Sequence, residues 1–358
     1  MQHQDYHDQG FEIINNNPSQ NTFPELGLPD KLSSVYKDLN FITPTPIQHA
    51  TISHGISGKD LIAQSKAGTG KTLAFLSVVL TQLNPQNDTL QGLILVPTRE
   101  LALQVHEVAS KITKKIKEKP QIKLGLMIGG IPIEDDRNAL RLKVHLVIGT
   151  LGRVHGLIKE KSMKINDVKI LVLDEADKIL TTHGMRDQLN YIYTRLENNA
   201  ERAQVLNFSA TYSEESFKLV KGIGYNHKII KVIGDVEDKQ GGEEGEVNKI
   251  DLNVSTLKQY YKKIVRREDD RVGVNTLKNR IVVDLLKNVK YEQAIIFYND
   301  KGLGEELESD LREEGISLHF IHGDQTQAER MRIMNKLKLK RVNILLATDL
   351  VRDKLLIF

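Results

Sequence analysis

Ser65-Lys-Ala-Gly-Thr-Gly-Lys-Thr72 lies between a short β-rich run, Asp60–Gln64, and a stretch of helical spacing, Leu73–Leu83. A glycine-rich turn in that position aims successive backbone N–H groups at phosphate, and the helix behind it adds the positive end of its dipole. Lys71 would reach the β- and γ-phosphates and Thr72 a magnesium ion, with Ala67, Gly68, Thr69 and Gly70 forming the cradle. Ser65 stands where the pattern usually has glycine. The plainer alternative is an ordinary Gly-rich turn with a surface lysine. The placement between strand and helix favours the phosphate loop.

Outward from this loop, similar apolar runs recur at Gly92–Pro97, His145–Gly149, Lys169–Leu173, Gln204–Phe208 and Lys228–Ile233. Helical stretches such as Thr98–Lys119 and Arg186–Asn198 separate them. That alternation predicts a parallel sheet covered on both faces. A second α/β series follows at Gln293–Asn299, Ser317–His322 and Val342–Ala347. Between the two lies an acidic, Gly-rich stretch, residues 234–256, with almost nothing to bury at its start, which reads as a solvated linker. The expected organisation is a disordered lead-in over residues 1–22, a nucleotide-binding domain over 23–233, the linker, and a second domain over 257–358.

The whole chain of 358 residues supports this division, since about 150 residues make a typical domain. Apolar residues are 40% and charged residues 27%, which argues against wholesale disorder. A net charge of +3 neither demands nor excludes a polyanionic partner. With no cysteine, disulfides, thiolate nucleophiles and cysteine-held zinc are excluded. The eleven histidines show no metal-ligand spacing. No apolar run approaches the roughly 18 residues of a membrane span and the polar start lacks a signal-peptide core, so a soluble intracellular protein, cytoplasmic or nuclear, is expected.

In open α/β sheets, ligands bind at the carboxyl ends of the strands, and the polar clusters of this chain fall there. Leu171-Val-Leu-Asp-Glu-Ala-Asp177 ends one buried run with three carboxylates. Alone, such a cluster is usually a solvated strand end. Together with the phosphate loop it supplies the second half of a magnesium–nucleotide site, Asp174 holding the metal shell and Glu175 orienting or deprotonating water.

These residues resemble the DEAD-box RNA helicases, whose name Asp174-Glu-Ala-Asp177 spells. Phe41-x-x-Pro-Thr-Pro-Ile-Gln48, with Phe23 upstream, is similar to the family's nucleotide-sensing element. Pro97-Thr-Arg-Glu-Leu-Ala102 with Gln104, Gly129-Gly130, Ser209-Ala-Thr211, Ala294–Asn299, His322-Gly-Asp324, Gln327-x-x-Arg330 and Ala347-Thr-Asp-Leu350 follow in the family's order. Thr150-Leu-Gly-Arg153 departs from it, with Leu151 where proline is usual. The resemblance implies two RecA-like, doubly wound parallel-sheet α/β domains and an ATP- and magnesium-dependent RNA helicase. It implies that Phe23 stacks on adenine, with Phe41 also at the nucleotide, and that Gln48 reads the adenine edge. It further implies that Lys71, Asp174, Glu175, Ser209 and Thr211 serve catalysis. Thr98, Arg99, Gly130, Thr150 and Arg153 would hold RNA backbone in the first domain, and Gly323 and Thr348 in the second.

Within the family the chain is similar to the gemin-type helicases of the SMN complex, which assembles spliceosomal snRNPs. That likeness rests on Leu173–Lys178, Ser209-Ala-Thr-Tyr212 and Leu257–Lys262. The family continues past Ala-Thr-Asp-Leu with an arginine-rich motif, whereas this sequence reads Val351-Arg-Asp-Lys-Leu-Leu-Ile-Phe358. The second domain is therefore expected to be incomplete, with Arg352 and Asp353 as imperfect relics. The alternative function is a hydrolysis-deficient clamp for RNA or protein.

Overall fold

The computed structural model describes residues 11–15, 21–117, 119–233, 258, 260–264 and 273–348. The acidic linker, Arg352, Asp353 and the apolar end from Leu355 lie outside the described residues, as do Leu257 and Gln259. The chain divides into two compact units, at Leu257 and Lys258.

In the first unit eight strands form one parallel sheet: β1 (Phe11–Asn15), β2 (Leu61–Gln64), β3 (Gly92–Val96), β4 (Leu124–Met127), β5 (Leu146–Thr150), β6 (Ile170–Asp174), β7 (Gln204–Ser209) and β8 (Lys228–Ile233). Their spatial order is β1-β8-β2-β7-β6-β3-β5-β4. Among the described residues, nine α-helices connect or precede them: α1 (Asp30–Asp38), α2 (Pro46–Ile56), α3 (Lys71–Gln82), α4 (Arg99–Lys115), α5 (Ile133–Arg141), α6 (Leu151–Lys159), α7 (Ala176–Thr181), α8 (Met185–Glu197) and α9 (Glu214–Lys221).

The near-continuous apolar strands have the physical reason expected of them. Every residue of β3, β6 and β7 is buried, because helices cover both faces. Successive side chains point to opposite faces. Ile94, Val96, Ile148, Val172, Leu206 and Phe208 therefore join one core, while Leu93, Leu95, Val147, Leu171, Leu173 and Val205 join the other. The helix behind the phosphate loop, α3, is buried at every position from Leu73 to Leu80, as a helix at the centre of a two-layer contact must be. The surface helix α4 buries a stripe, Leu101, Ala102, Val105, Ala109, Ile112 and Thr113, at i, i+4 spacing. Its first turn is capped by the Thr98 hydroxyl, which accepts from Leu101 N at 3.4 Å.

Three features depart from the sequence reading. The lead-in is not without structure: Phe11–Asn15 pairs in parallel with β8, Phe11 opposite Ile229 and Asn15 opposite Ile233. Its backbone satisfies an edge that would otherwise expose a row of unpaired groups. The strand Leu124–Met127, beside β5, has no counterpart in the sequence reading, because it is only four residues long and two of them are only partly buried. The helix after Thr98 ends at Lys115, not Lys119, and Ile116 is already extended.

The second unit carries α10 (Val274–Asn288), β9 (Ala294–Tyr298), α11 (Lys301–Glu313), β10 (His319–Ile321), α12 (Gln327–Lys338) and β11 (Ile344–Thr348). Its described strands form a parallel sheet of order β10-β11-β9. Among the described residues no helix is long and apolar enough to cross a membrane.

Phe208 is fully buried and meets Phe75 of α3 edge-on, ring centroids 5.5 Å apart. Phe208→Ala should cost about 3–5 kcal/mol through the cavity left between sheet and helix. Urea unfolding of the first unit followed by circular dichroism checks this, with the midpoint falling and the slope unchanged.

Candidate nucleotide and RNA site

Parallel strands bring every polar cluster to one edge, and the strand order sets the clusters side by side. The loop after β2, Ser209 ending β7 and Asp174 ending β6 are neighbours. Beyond them come the ends of β3, β5 and β4, which carry Thr98, Thr150 and Gly130. Sequence order is scrambled, yet the phosphate loop, Ser209 and Asp174 gather in one half of the edge and Thr98, Thr150 and Gly130 in the other.

Lys71 opens α3, and its ammonium donates to Ser65 O at 2.7 Å and Lys66 O at 2.8 Å. Burial pulls its pKa down, while the carboxylates of Asp174, Glu175 and Asp177 push it back. Asp174 is buried, and desolvation lifts its pKa to about 7 against the pull of Lys71. The two groups share one low-dielectric pocket, where a cation and an anion stabilise each other. Ser65, the departure from the glycine pattern, is buried; its hydroxyl pairs with Thr69 Oγ1 at 2.6 Å and its N–H donates to Ser209 O at 3.2 Å.

Asp177 proves to be the junction of the site, a role that its place one turn into α7 does not signal. It accepts from Ser209 Oγ at 2.5 Å and from Thr211 Oγ1 at 2.8 Å. Ser209 Oγ also accepts from Thr211 N at 3.2 Å. The expected catalytic pair Ser209 and Thr211 is thereby tied to the acidic motif on one side and, through Ser209 O, to the phosphate loop on the other. Glu175 caps α7 with φ 52° and ψ 48°, a left-handed conformation that costs a non-glycine residue roughly 1–2 kcal/mol. That turn brings its side chain within 3.1 Å of Lys178.

The nucleotide-sensing residues divide. Gln48 is buried; its Oε1 accepts from Thr45 N at 3.0 Å and its Nε2 donates to Gly70 O at 3.1 Å. Gly70 has φ +96°, and a Cβ there would meet Gln48 Nε2 at 2.3 Å, so glycine is required for this approach. Gln48 thus grips the phosphate loop itself, a contact absent from the expectation that it reads only the adenine edge. Phe23 is a correction: it is 3% exposed and packs edge-on against Tyr36, centroids 5.0 Å apart, so its face is not free to stack on a base. Phe41 is 37% exposed and also meets Tyr36 edge-on, centroids 6.0 Å apart, which leaves it the more accessible aromatic.

In the other half of the edge, the Arg99 guanidinium lies against Gly129 and Gly130. A Cβ on Gly130, whose φ is +86°, would sit 2.5 Å from Arg99 Nη1. Arg153 is only 13% exposed: it donates to Ile131 O at 2.5 Å and pairs at 3.1 Å with Asp136, itself 1% exposed. Burial lifts the Asp136 pKa to about 6 in spite of Arg153. Against the expectation that Arg153 grips RNA directly, most of its charge is spent holding the segment after Gly130. Asp136 escapes a sequence reading because it looks like a solvated acid in a helix's first turn.

In the second unit, Thr348 ends β11 and Gly323 follows β10, adjacent strands, so both stand on one edge of that sheet. Thr348 is buried, and its hydroxyl has no hydrogen-bond partner among the described residues. Asp324 is held by Lys301 at 2.6 Å.

The match to known proteins follows this geometry. The family model for DEAD/DEAH box helicases matches residues 45–220, and that for the helicase conserved C-terminal domain matches residues 277–353. The chain is 31% identical over 349 residues to the ATP-dependent RNA helicase eIF4A of Kluyveromyces lactis, covering 96% of this chain and 80% of that one. It is 32% identical over 328 residues to the DEAD-box ATP-dependent RNA helicase CshA of Bacillus cereus, covering 92% of this chain. It spans 56% of that relative's length. Among solved structures it is similar to S. cerevisiae Dbp5 bound to RNA and ADP BeF3, with TM-score 0.77, 27% identity, and coverage of 92% and 76% of the two chains. A second likeness is to Mss116p bound to ssRNA and AMP-PNP, with TM-score 0.71, 25% identity, and coverage of 95% and 68%. The chain belongs to the DEAD-box helicase family.

Arg153→Ala would leave Asp136 buried without its counter-charge, a change that typically costs about 3–5 kcal/mol. Thermal melting of the variant should show a lowered midpoint at pH 7. Recovery on acidification toward pH 5 is expected, because protonated Asp136 needs no partner; at that pH the wild type gains less.

Proposed function

We propose that this chain is an ATP-dependent RNA helicase that couples ATP hydrolysis at the β2–β7–β6 edge to its grip on RNA backbone. The observation that supports it best is the Asp177 junction. One carboxylate bonds both Ser209 and Thr211, and Ser209 O in turn accepts from the first residue of the phosphate loop. A change at the γ-phosphate is then felt directly by β7 and the turn after it.

In this reading, Lys71 leaves the carbonyls of Ser65 and Lys66 for the β- and γ-phosphates, and the N–H groups of residues 66–71 line the phosphates. Phe41 stacks on adenine, and Gln48 connects the base to the loop through Gly70. A magnesium ion fits the residues present: Asp174 is a buried oxygen donor whose charge is costly without a cation, Thr72 in the first turn of α3 carries a second oxygen donor, and bound metal would neutralise charge on the phosphates. Glu175, aimed by its left-handed backbone, accepts a proton from the attacking water. Thr98, Arg99, Gly130 and Thr150 hold phosphate and sugar in the first unit, with Arg153 positioning Gly130. Gly323 and Thr348 do so in the second, where the Thr348 hydroxyl, without a partner among the described residues, suits a backbone contact. Such contacts recognise RNA without reading its sequence.

For a partner, the residues shared with the gemin-type helicase support a role in the SMN complex and snRNP assembly. Affinity purification of the tagged chain, with SMN-complex proteins as the readout, tests it, and their absence removes that role.

RNA-stimulated ATP turnover by the full chain is the deciding experiment. Glu175→Gln should lower turnover by about 10²–10⁴-fold while leaving ATP affinity unchanged. Binding of both ligands by the wild type without turnover would favour the clamp instead. Lys71→Ala should weaken ATP binding by about 1.5–3 kcal/mol, the value of a charge-assisted hydrogen bond, in calorimetric titration.

A further inference from the structure

From Lys111 to Lys123 the chain carries six lysines against one glutamate, a net of +5 where the whole chain sums to +3. This stretch is the last turn of α4 and the approach to β4. Lys111 is paired with Glu107 at 2.7 Å, and Lys115 donates to Asp38 O at 3.3 Å. Lys114, Lys117, Lys119 and Lys123 are exposed, and among the described residues none of these four has an acidic partner. Charges gathered this tightly repel one another, so the stretch is electrostatically unfavourable until a polyanion neutralises it.

Its position decides which polyanion. The helix α4 starts at Thr98 on the functional edge and runs for 17 residues, about 25 Å, to the opposite edge, where its lysines lie. The strand β4 then runs back, from Lys123 through Leu124–Met127 to Gly129 and Gly130. β4 is the last strand of the sheet, so no neighbouring strand screens this route. From Lys123 to Gly129 is about 20 Å at strand rise, or about six phosphates at the spacing of a stacked single strand. Of the acids of the flanking helix α5, Glu134 is paired with Arg137 and Asp136 with Arg153, while Asp135 is exposed in its first turn. The basic residues therefore begin about 20 Å from the Arg99–Gly130 position, at the far end of the same sheet edge.

We propose that the edge of β4, with Lys114, Lys117, Lys119 and Lys123, is an accessory track for single-stranded RNA. It takes the stretch of strand that leaves the helicase edge at Gly130 and follows the side of the first unit to the opposite edge. The proposal rests on the RNA reading of Arg99 and Gly130, and adds that binding grows with RNA length beyond the strand those residues hold. Recognition is of phosphate alone, because the track offers ammonium groups and no base-reading side chains.

The test uses the full chain and two oligouridines, of about six and about twenty nucleotides, with affinity measured by fluorescence anisotropy over a range of salt. The quadruple variant Lys114→Ala, Lys117→Ala, Lys119→Ala and Lys123→Ala should match the wild type on the short RNA and bind the long one about tenfold more weakly. Its salt slope on the long RNA should fall by about two, as three or so phosphate contacts are lost at roughly 0.7 each. The same four positions changed to arginine should keep the wild-type behaviour, which separates charge from folding. Equal affinity of wild type and alanine variant for the long RNA would overturn the track while leaving the RNA reading intact. Failure of the wild type to bind even the short RNA would remove both. A variant that loses polyglutamate binding but no affinity for long RNA would assign the strip to an acidic protein and overturn the proposal.

Discussion

A parallel strand buried on both faces has no side to give to solvent, so whatever charge it carries must be placed at its ends. That constraint governs the first unit. Strands β3 and β6 are apolar along almost their whole length and β7 is wholly buried, because helices cover them twice, and their charge is pushed into the residues where each strand stops. Six sequence-distant clusters then become one row, in an order set by strand pairing and not by the chain. The half of the row with the phosphate loop and the half with Thr98, Thr150 and Gly130 meet between β6 and β3, whose ends are hydrogen-bonded neighbours.

Within that row the interactions are unequal. Lys71 and Asp174 are opposite charges in one buried pocket, each perturbed by burial in the direction of neutrality and each restrained by the other. Asp177 acts differently, since its two oxygens accept from one hydroxyl at the end of β7 and one in the turn after it. One carboxylate of the motif thus meets charge and the other meets geometry, which is how three acids within four residues avoid acting as a single repelling cluster. Arg153 and Asp136 repeat the second pattern further along the edge, a buried pair that shapes the Gly130 segment.

Much of this is legible in the sequence because period and placement carry it. The strand–loop–helix arrangement around Ser65–Thr72, the apolar runs ending in Asp174 and Ser209, and the Thr98 cap are local facts, and local facts survive folding. What escapes is tertiary. Asp136 is indistinguishable from a surface acid until α5 is seen packed so that Arg153 reaches it. Phe23 and Phe41 look alike as isolated aromatics, and only their packing, both against Tyr36, decides which is buried and which is more accessible. Gln48 on its own suggests a side chain turned outward to a base; its grip on Gly70 depends on a glycine 22 residues away. The strand β1 reads as lead-in because five residues amid polar ones carry little periodic signal, and its pairing partner is far off in the chain.

That distance has a consequence in time. Phe11 pairs with Ile229, so the first strand to be synthesised is completed by the last strand of its sheet. At about 5–20 residues per second, a nascent chain would wait roughly 10–40 seconds between the two. During that interval β3 to β6 can pair with one another, while β2 waits for β7 and β8 and Phe11–Asn15 has no partner edge to join. The outermost strand on this side can therefore dock only once β8 is made, a high-contact-order step.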